Sequence, residues 1–488
     1  MQNNKIKRII YILLILAAAA GNGFAEDVSF DDARYVAAVH SGLGYSQRLN
    51  SGAGYIPDYS VKEIKYLKHQ DTGETLAYVA ELDPKGFIVL AKDDSITPVI
   101  AYSFNNNFSY SEDQNNIMLY MLRQDMEKRL EAIPLFSEAR KEENRKKWDD
   151  YLSRQDYLGT LRAVQQWPSN DDTGYLDTTW QQGPPYNELC PMDGALSSIA
   201  GCAATAMAQV VYYNQYPPSI QLTSGDAYTT LTKGINVSSF DTVNNRLNSI
   251  SYVSTSDTLA AALSFACGVL LEMDYTADLS GAHLYSETFT IDLAYKDAEK
   301  LMGDATNFYI VLEENMKTER PALLAIYKGM SSGHAIVADG YRSNGEYHLN
   351  FGWGATSPDS MSECWYTLPS GMPDSYNTLY YGIVNITVPT GNPYNQYEES
   401  ISYPNPFRVS SVNSVIITIS DAIEGYVDKV SIYTLSGNLV REIDGENDYK
   451  VDWNGKNSSG NKCAPGLYFY VIKTTEKEVY RGKITVLD

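Results

Sequence analysis

Read as apolar and polar positions, the chain divides into stretches with different periods. After the basic residues Lys5, Lys7 and Arg8, positions Ile9 to Ala20 are unbroken apolar, and small Gly23 and Ala25 follow. This is the pattern of a signal peptide over residues 1–25, cut after Ala25. The run is shorter than the roughly 20 residues a membrane span needs, so no span is expected after its removal. Ser29 with Asp32 three positions on predicts a capped helix through His40. Short β-type runs then predict strands over Val61–Leu67, Thr75–Leu82, Gly86–Ala91 and Pro98–Ser103. Ser111 with Gln114 predicts the cap of a helix ending near Ala132, and the mixed charges of Glu138–Asp150 predict a solvated helix face. The polar stretch Gln155–Thr173 predicts a linker open to proteases.

Further on, Ala203–Tyr213 and Leu259–Met273 read as buried helices, and Ala322–Tyr327, His334–Tyr341, Glu346–Phe351 and Tyr380–Val388 as strands. Helices first and strands later predict an α+β domain. A second linker, rich in Pro, Gly, Asn and Glu, covers residues 391–402. Beyond it, Ser414–Ser420, Lys429–Tyr433, Tyr449–Trp453, Gly466–Thr474 and Val479–Val486 alternate between turn signals, which predicts a small all-β sandwich.

Length and charge narrow the function. At 488 residues the chain suits about three domains by size alone. Its net charge of −22 repels phosphate backbones and argues against nucleic acid as a partner. Five Cys make no disulfide framework, and the odd count leaves a free thiol. No CxxC, HExxH or EF-hand loop offers a metal site, no Gly-rich loop offers a phosphate site, and no GxSxG elbow offers a serine nucleophile. No metal or organic cofactor is implied.

A cysteine nucleophile remains. Cys202 follows Gly201 and opens the Ala203–Tyr213 helix, where the positive end of the macrodipole stabilises a thiolate. Taken alone, an inert buried Cys fits equally well. His334 follows Gly333 at a strand start, suited to hold the ion pair and to protonate a leaving group. Its rival, His348, sits mid-strand between Tyr347 and Leu349, where alternation accounts for it. Asn350 ends the next strand, where a hairpin returns it beside His334, and Trp353 follows to shield that contact. Gln182 could join a backbone N–H in holding an oxyanion. The order Cys, His, Asn is that of papain-like enzymes.

Five ordered blocks carry a closer likeness. They are Trp180-x-Gln182-x-x-Pro185-Tyr186-Asn187-x-x-Cys190-Pro191; Gly201 to Gln209; Met273-Asp274-Tyr275 with Ser280-Gly281-Ala282; Gly333-His334-Ala335; and Tyr347 to Gly354. Together they resemble the streptopain-like cysteine peptidases, a papain-fold family of exported bacterial enzymes. Phe351 stands where that family often has Trp. The resemblance implies Cys202 as nucleophile, His334 as general base and acid, Asn350 as the group orienting it, and Gln182 in the oxyanion hole. Trp353 would stand beside Asn350, and Ser280 and Gly333 would line the substrate cleft. Residues 26–160 resemble the family's inhibitory propeptide through Ala77-Tyr78-Val79, Gly86 to Val89, Asp93-Asp94 and Pro98 to Ser103. The tail is similar to immunoglobulin-like C-terminal domains of exported bacterial proteins, through Tyr403 to Phe407, Ile432 to Gly437, Trp453-x-Gly455 and Pro465 to Tyr468. Such domains serve as type IX secretion signals or as attachment modules.

The expected organisation is a signal peptide (1–25), an α+β inhibitory prodomain (26–160), a papain-like peptidase domain (161–390), a linker (391–402) and a β-sandwich (403–488). The expected activity is that of a secreted zymogen of a cysteine endopeptidase, acting on proteins and peptides through a Cys202 thioester. Its own prodomain is the expected intramolecular inhibitor, and secretion machinery or the cell surface the expected partner of the tail. Two alternatives stay open: a catalytically retired adhesion protein on the same fold, and a thioester acyl-transferase.

Overall fold

The computed structural model describes residues 27–50, 59–112, 116–153, 164–168, 173–252, 256–328, 332–354, 362–370, 372, 378–389, 400–403, 407–408, 414–419, 426–434, 438–445, 448–476 and 479–487. The signal-peptide segment, most of both linkers and the 404–406 motif lie outside these residues. Two compact units divide the chain: 1–213 with 219–387, and 214–218 with 388–488.

The first unit is mixed α and β. Helix α1 (Phe30–Asn50) starts where Ser29 predicted it: the Ser29 hydroxyl accepts the Asp32 N–H at 3.0 Å and donates to the Asp32 carboxylate. Strands β1 (Ser60–Lys68), β2 (Thr75–Asp83), β3 (Phe87–Ala91) and β4 (Val99–Ser103) follow as an antiparallel meander. Helix α2 (Ile117–Ala132) begins later than Ser111 predicts. Asn116 precedes it and gives its amide to the Ser109 and Ser111 carbonyls. Helix α3 (Glu138–Leu152) is capped by Ser137 and buries Asn144, Trp148 and Tyr151 beneath its charged face.

Next comes a short strand, β5 (Gln166–Trp167), then helices α4 (Cys202–Tyr213), α5 (Asp257–Leu270) and α6 (Phe308–Lys317). Strands β6 (Glu299–Met302), β7 (Ala322–Lys328), β8 (Ser332–Arg342), β9 (Glu346–Asn350), β10 (Glu363–Thr367) and β11 (Leu379–Val384) complete one eleven-stranded sheet. Its order is β1-β2-β3-β4-β10-β9-β8-β7-β11-β6, with β5 on β8. The N-terminal meander and the C-terminal strands therefore form a single sheet, joined where β4 pairs with β10 through Tyr102 opposite Trp365 and Ala101 opposite Tyr366. Tyr102, Trp365 and Tyr366 are all buried at this seam.

Polar groups cross the seam as well. The Tyr102 hydroxyl donates to Glu346 at 3.0 Å, and the Arg342 guanidinium lies 5.6 Å over the Tyr102 ring. Tyr366 donates to Asp125 at 2.6 Å, while Arg129 pairs with Asp125 and donates to the Thr367 carbonyl. A buried ion pair needs further hydrogen bonds to offset its desolvation, and the opposite side of the seam supplies two of them, from the Tyr366 hydroxyl to Asp125 and from Arg129 to the Thr367 carbonyl.

The second unit forms two sheets. One holds Ser400–Tyr403, Val415–Ile419 and Lys450–Trp453; the other holds Phe407–Arg408, Val479–Leu487, Gly466–Thr474, Val427–Thr434 and Leu439–Asp444. Alternate residues Val415 and Ile417 meet Trp453, Val430, Ile432, Tyr470 and Ile472 in one core. That is the predicted all-β sandwich, plus the exposed edge strand Leu439–Asp444, which has no clear two-residue pattern.

Candidate active site

Helix α4 can start only because residue 201 is glycine. Gly201 has φ +86°, and a Cβ there would sit 2.7 Å from the Met273 sulfur. Its carbonyl accepts both the Thr205 N–H and the Thr205 hydroxyl at 3.0 Å, so the helix begins at Cys202. The Cys202 thiol thus stands at the positive end of a twelve-residue helix and keeps partial exposure.

The other thiols differ. Burial pushes Cys190 up to about 12, despite a hydrogen bond from Tyr275 that works the other way. Burial also drives Cys267 and Cys364 well above the usual thiol range. Cys463, in the second unit, is raised by partial burial.

Two further segments close around the Cys202 turn. The Ala200 N–H donates to the Gln182 carbonyl at 2.8 Å, which lays the Trp180–Gln182 segment against the residues leading into Cys202. The Gln182 side chain is buried there. From the other side, Gly352 approaches Thr205 so closely that a Cβ would touch its methyl at 3.4 Å. Gly354 donates to the Trp180 carbonyl at 3.2 Å. The Asn350–Gly354 loop therefore bridges α4 and the Gln182 segment.

His334 lies buried in β8, opposite Ile326 of β7. Its Nε2 is 3.1 Å from the Phe351 carbonyl, and its ring stacks on Trp353 at 5.5 Å with planes 6° apart. The acceptor seen at this nitrogen is thus one residue past Asn350. Asn350 itself donates to the Thr178 carbonyl and accepts the Gly352 N–H, both at 3.0 Å. The Ser280 hydroxyl is turned inward onto Thr276, and it is the Ser280 carbonyl that lies beside Gly201. Gly333 is exposed at the mouth of the strand.

Two features escaped sequence reasoning. Gln209, fully buried on α4, accepts from the Thr178 hydroxyl at 2.9 Å and the Trp180 N–H at 3.3 Å, and donates to Asn350 at 3.4 Å. The available signal was one long polar side chain in a helix of mostly small and apolar residues. His348 is the second: it forms a buried pair with Asp339 at 2.7 Å. Burial opposes its protonation, yet the Asp339 charge and hydrogen bond, with Glu363 farther off, hold its pKa above the usual imidazole range. Among the described residues no group of His, Cys, Asp and Glu could hold a metal ion, and no helix is long and apolar enough to cross a membrane.

This thiol-and-imidazole geometry falls inside a recognisable stretch. Residues 180–359 match the model of the Peptidase C10 family. The chain carries a C10 peptidase domain. Residues 43–129 match the Spi protease inhibitor model, so the N-terminal meander is an inhibitor-type prodomain, and the two together have the organisation of a cysteine peptidase zymogen. Streptopain of Streptococcus pyogenes is 24% identical over 394 residues, covering 72% of this chain and 90% of that protein. The thiol protease/hemagglutinin PrtT of Porphyromonas gingivalis is 24% identical over 318 residues, covering 59% of this chain. The match spans only 34% of that relative's length. Among solved structures, a Prevotella intermedia prointerpain A fragment aligns with TM-score 0.48 at 21% identity, over 67% of this chain and 99% of the fragment.

Proposed function

We propose that this protein is an exported cysteine endopeptidase made as a zymogen, with Cys202 as nucleophile and His334 as general base and acid. The observation that carries the reading is the convergence of four segments within the C10 match: the Gly201–Cys202 helix start, Gln182, His334 against Trp353, and the Asn350–Gly354 loop. The thiolate attacks a peptide carbonyl, and the Gln182 amide with backbone N–H groups holds the oxyanion. His334 protonates the leaving amine, and water then hydrolyses the thioester. Asn350 acts with the Phe351 carbonyl to fix the imidazole, and Gly333 and the Ser280 backbone border the substrate.

In this reading residues 1–25 direct export, 26–160 hold the enzyme inactive, 161–390 carry catalysis, and 403–488, after the 391–402 linker, attach the protein to secretion machinery or the cell surface. The test uses the processed chain with an epoxide inhibitor that alkylates papain-type thiols. Labelling at Cys202 with loss of casein cleavage supports the reading. An unlabelled Cys202 with casein uncut points instead to a retired site, and aminolysis products with an added amine point to acyl transfer.

A further inference from the structure

Two buried side chains hold the main chain from Gly174 to Gln182, and the proposed chemistry gives neither a role. The first is Asp339. It occupies a bulge in β8, where pairing with β9 slips between Ala338 and Gly340, so its carboxylate leaves the regular alternation. One oxygen accepts the Leu176 N–H at 2.9 Å and the other meets His348 at 2.7 Å, while the Asp339 carbonyl accepts the Tyr175 N–H at 2.7 Å. The fit around it is tight: a Cβ on Gly174 would stand 2.1 Å from the carboxylate. The second is Gln209, whose carbonyl receives Thr178 and Trp180 and whose amide reaches Asn350.

We propose that Asp339, with His348 as its counter-ion, and Gln209 are positioning residues that fix the Gly174–Gln182 segment so that the Gln182 amide stands ready for the oxyanion. The inference rests on the cysteine-peptidase reading. Its physical basis is preorganisation: a donor stabilises developing charge only if it already points there, and a misplacement of about 1 Å costs on the order of a hundredfold. The two hydrogen bonds at Tyr175 and Leu176 and the two at Thr178 and Trp180 leave that segment little freedom before it reaches Gln182.

The experiment compares Asp339→Asn and Gln209→Met with the wild type, each expressed as the full chain and then processed. Gln209→Met keeps a side chain of similar length but removes the acceptor that Thr178 and Trp180 use, and it tests the idea should Asp339→Asn fail to fold. Three quantities are read: kcat and KM on a peptide amide, the rate of Cys202 alkylation by iodoacetamide across pH, and the melting temperature. Alkylation needs the thiolate but develops no oxyanion. The expected result is a kcat lowered about tenfold to a hundredfold, KM little changed, and an alkylation rate and pH profile like the wild type's. Alkylation falling in step with kcat, or kcat unchanged in both variants, overturns the proposal. A wild-type chain whose Cys202 alkylates but which cuts no peptide overturns the peptidase reading, and this inference with it.

Discussion

Two histidines lie in neighbouring strands of the same sheet, and their surroundings divide the molecule into chemistry and scaffold. His334 meets a neutral carbonyl and a Trp face of the loop whose Gly352 packs on the helix that carries a partly exposed thiol. His348 meets Asp339 at 2.7 Å with both side chains out of solvent, 2% and 0% exposed. A charge bound to a buried opposite charge is fixed, because breaking the pair strands an ion in a poor solvent. An imidazole resting on a carbonyl carries no such debt and can gain or lose a proton as bonds change. On the proposed reading, neutral surroundings belong to the reactive pair, and fully paired charge belongs to the frame that holds it.

That contrast is broken most severely at the thiol. Cys202→Ala should abolish peptide cleavage, a loss on the order of a millionfold in kcat, the scale seen when a nucleophile is removed. Cys190→Ala should leave kcat near wild type, because burial already keeps that thiol protonated. Equal losses in the two variants would remove the distinction. Next in size is Gln182→Ala. Deleting one oxyanion donor should lower kcat by about a hundredfold to a thousandfold with little change in KM. A rise in KM alone would make Gln182 a binding residue. Smaller again is Tyr366→Phe at the seam, which removes a donor from the buried Asp125 carboxylate at a cost of about 1.5–3 kcal/mol. It should lower the zymogen's unfolding midpoint and speed its processing, while the processed enzyme keeps its kcat.

Much of the proposed reactive site rests on patterns legible in the chain and much of the frame does not, for one reason. Gly201-Cys202 before an apolar helix and Gly333-His334 at a strand start are local patterns with local causes. The N-terminal strands were likewise placed within a residue or two, since each carries its own apolar run. Strand β10 shows no alternation because Cys364, Trp365 and Tyr366 are all buried, and its pairing with β4 joins residues more than two hundred positions apart. Asp339 looks like an ordinary polar residue near a strand end, and its role depends on a bulge that a two-residue period conceals. His348 reads from the chain as an alternating strand position, but all five residues of β9 are buried, so alternation explains neither its burial nor its partner. Gln209 shows as a polar residue out of place, and only the three-dimensional neighbours explain it.

The smallest effect concerns a third histidine, in the prodomain, whose surroundings fall between the two extremes. His40 is buried, with Nδ1 at 2.9 Å from the Tyr151 hydroxyl and its ring edge-on to Tyr102. Tyr102 in turn reaches across the seam to Glu346, and the Arg342 guanidinium faces the same pocket. Burial, then the Arg342 charge, lowers the His40 pKa from 6.5 to about 3. A buried histidine with a lowered pKa contributes stability that is present above pH 6.5 and lost as pH falls below it. Opening of the prodomain around His40 therefore gains up to about 1.4 kcal/mol per pH unit, roughly tenfold in the opening equilibrium. Glu346 acts in the opposite sense, since burial raises its pKa and docking favours its protonated form. The full-length Cys202→Ala chain, which cannot process itself, allows the measurement by hydrogen exchange at the Val99–Ser103 amides. Between pH 7 and 5, corrected for intrinsic exchange, protection of β4 should weaken in that chain. Adding His40→Gln should flatten or reverse the trend, leaving the Glu346 contribution. Equal slopes with and without the imidazole would place the pH response elsewhere in the seam and leave His40 as packing alone.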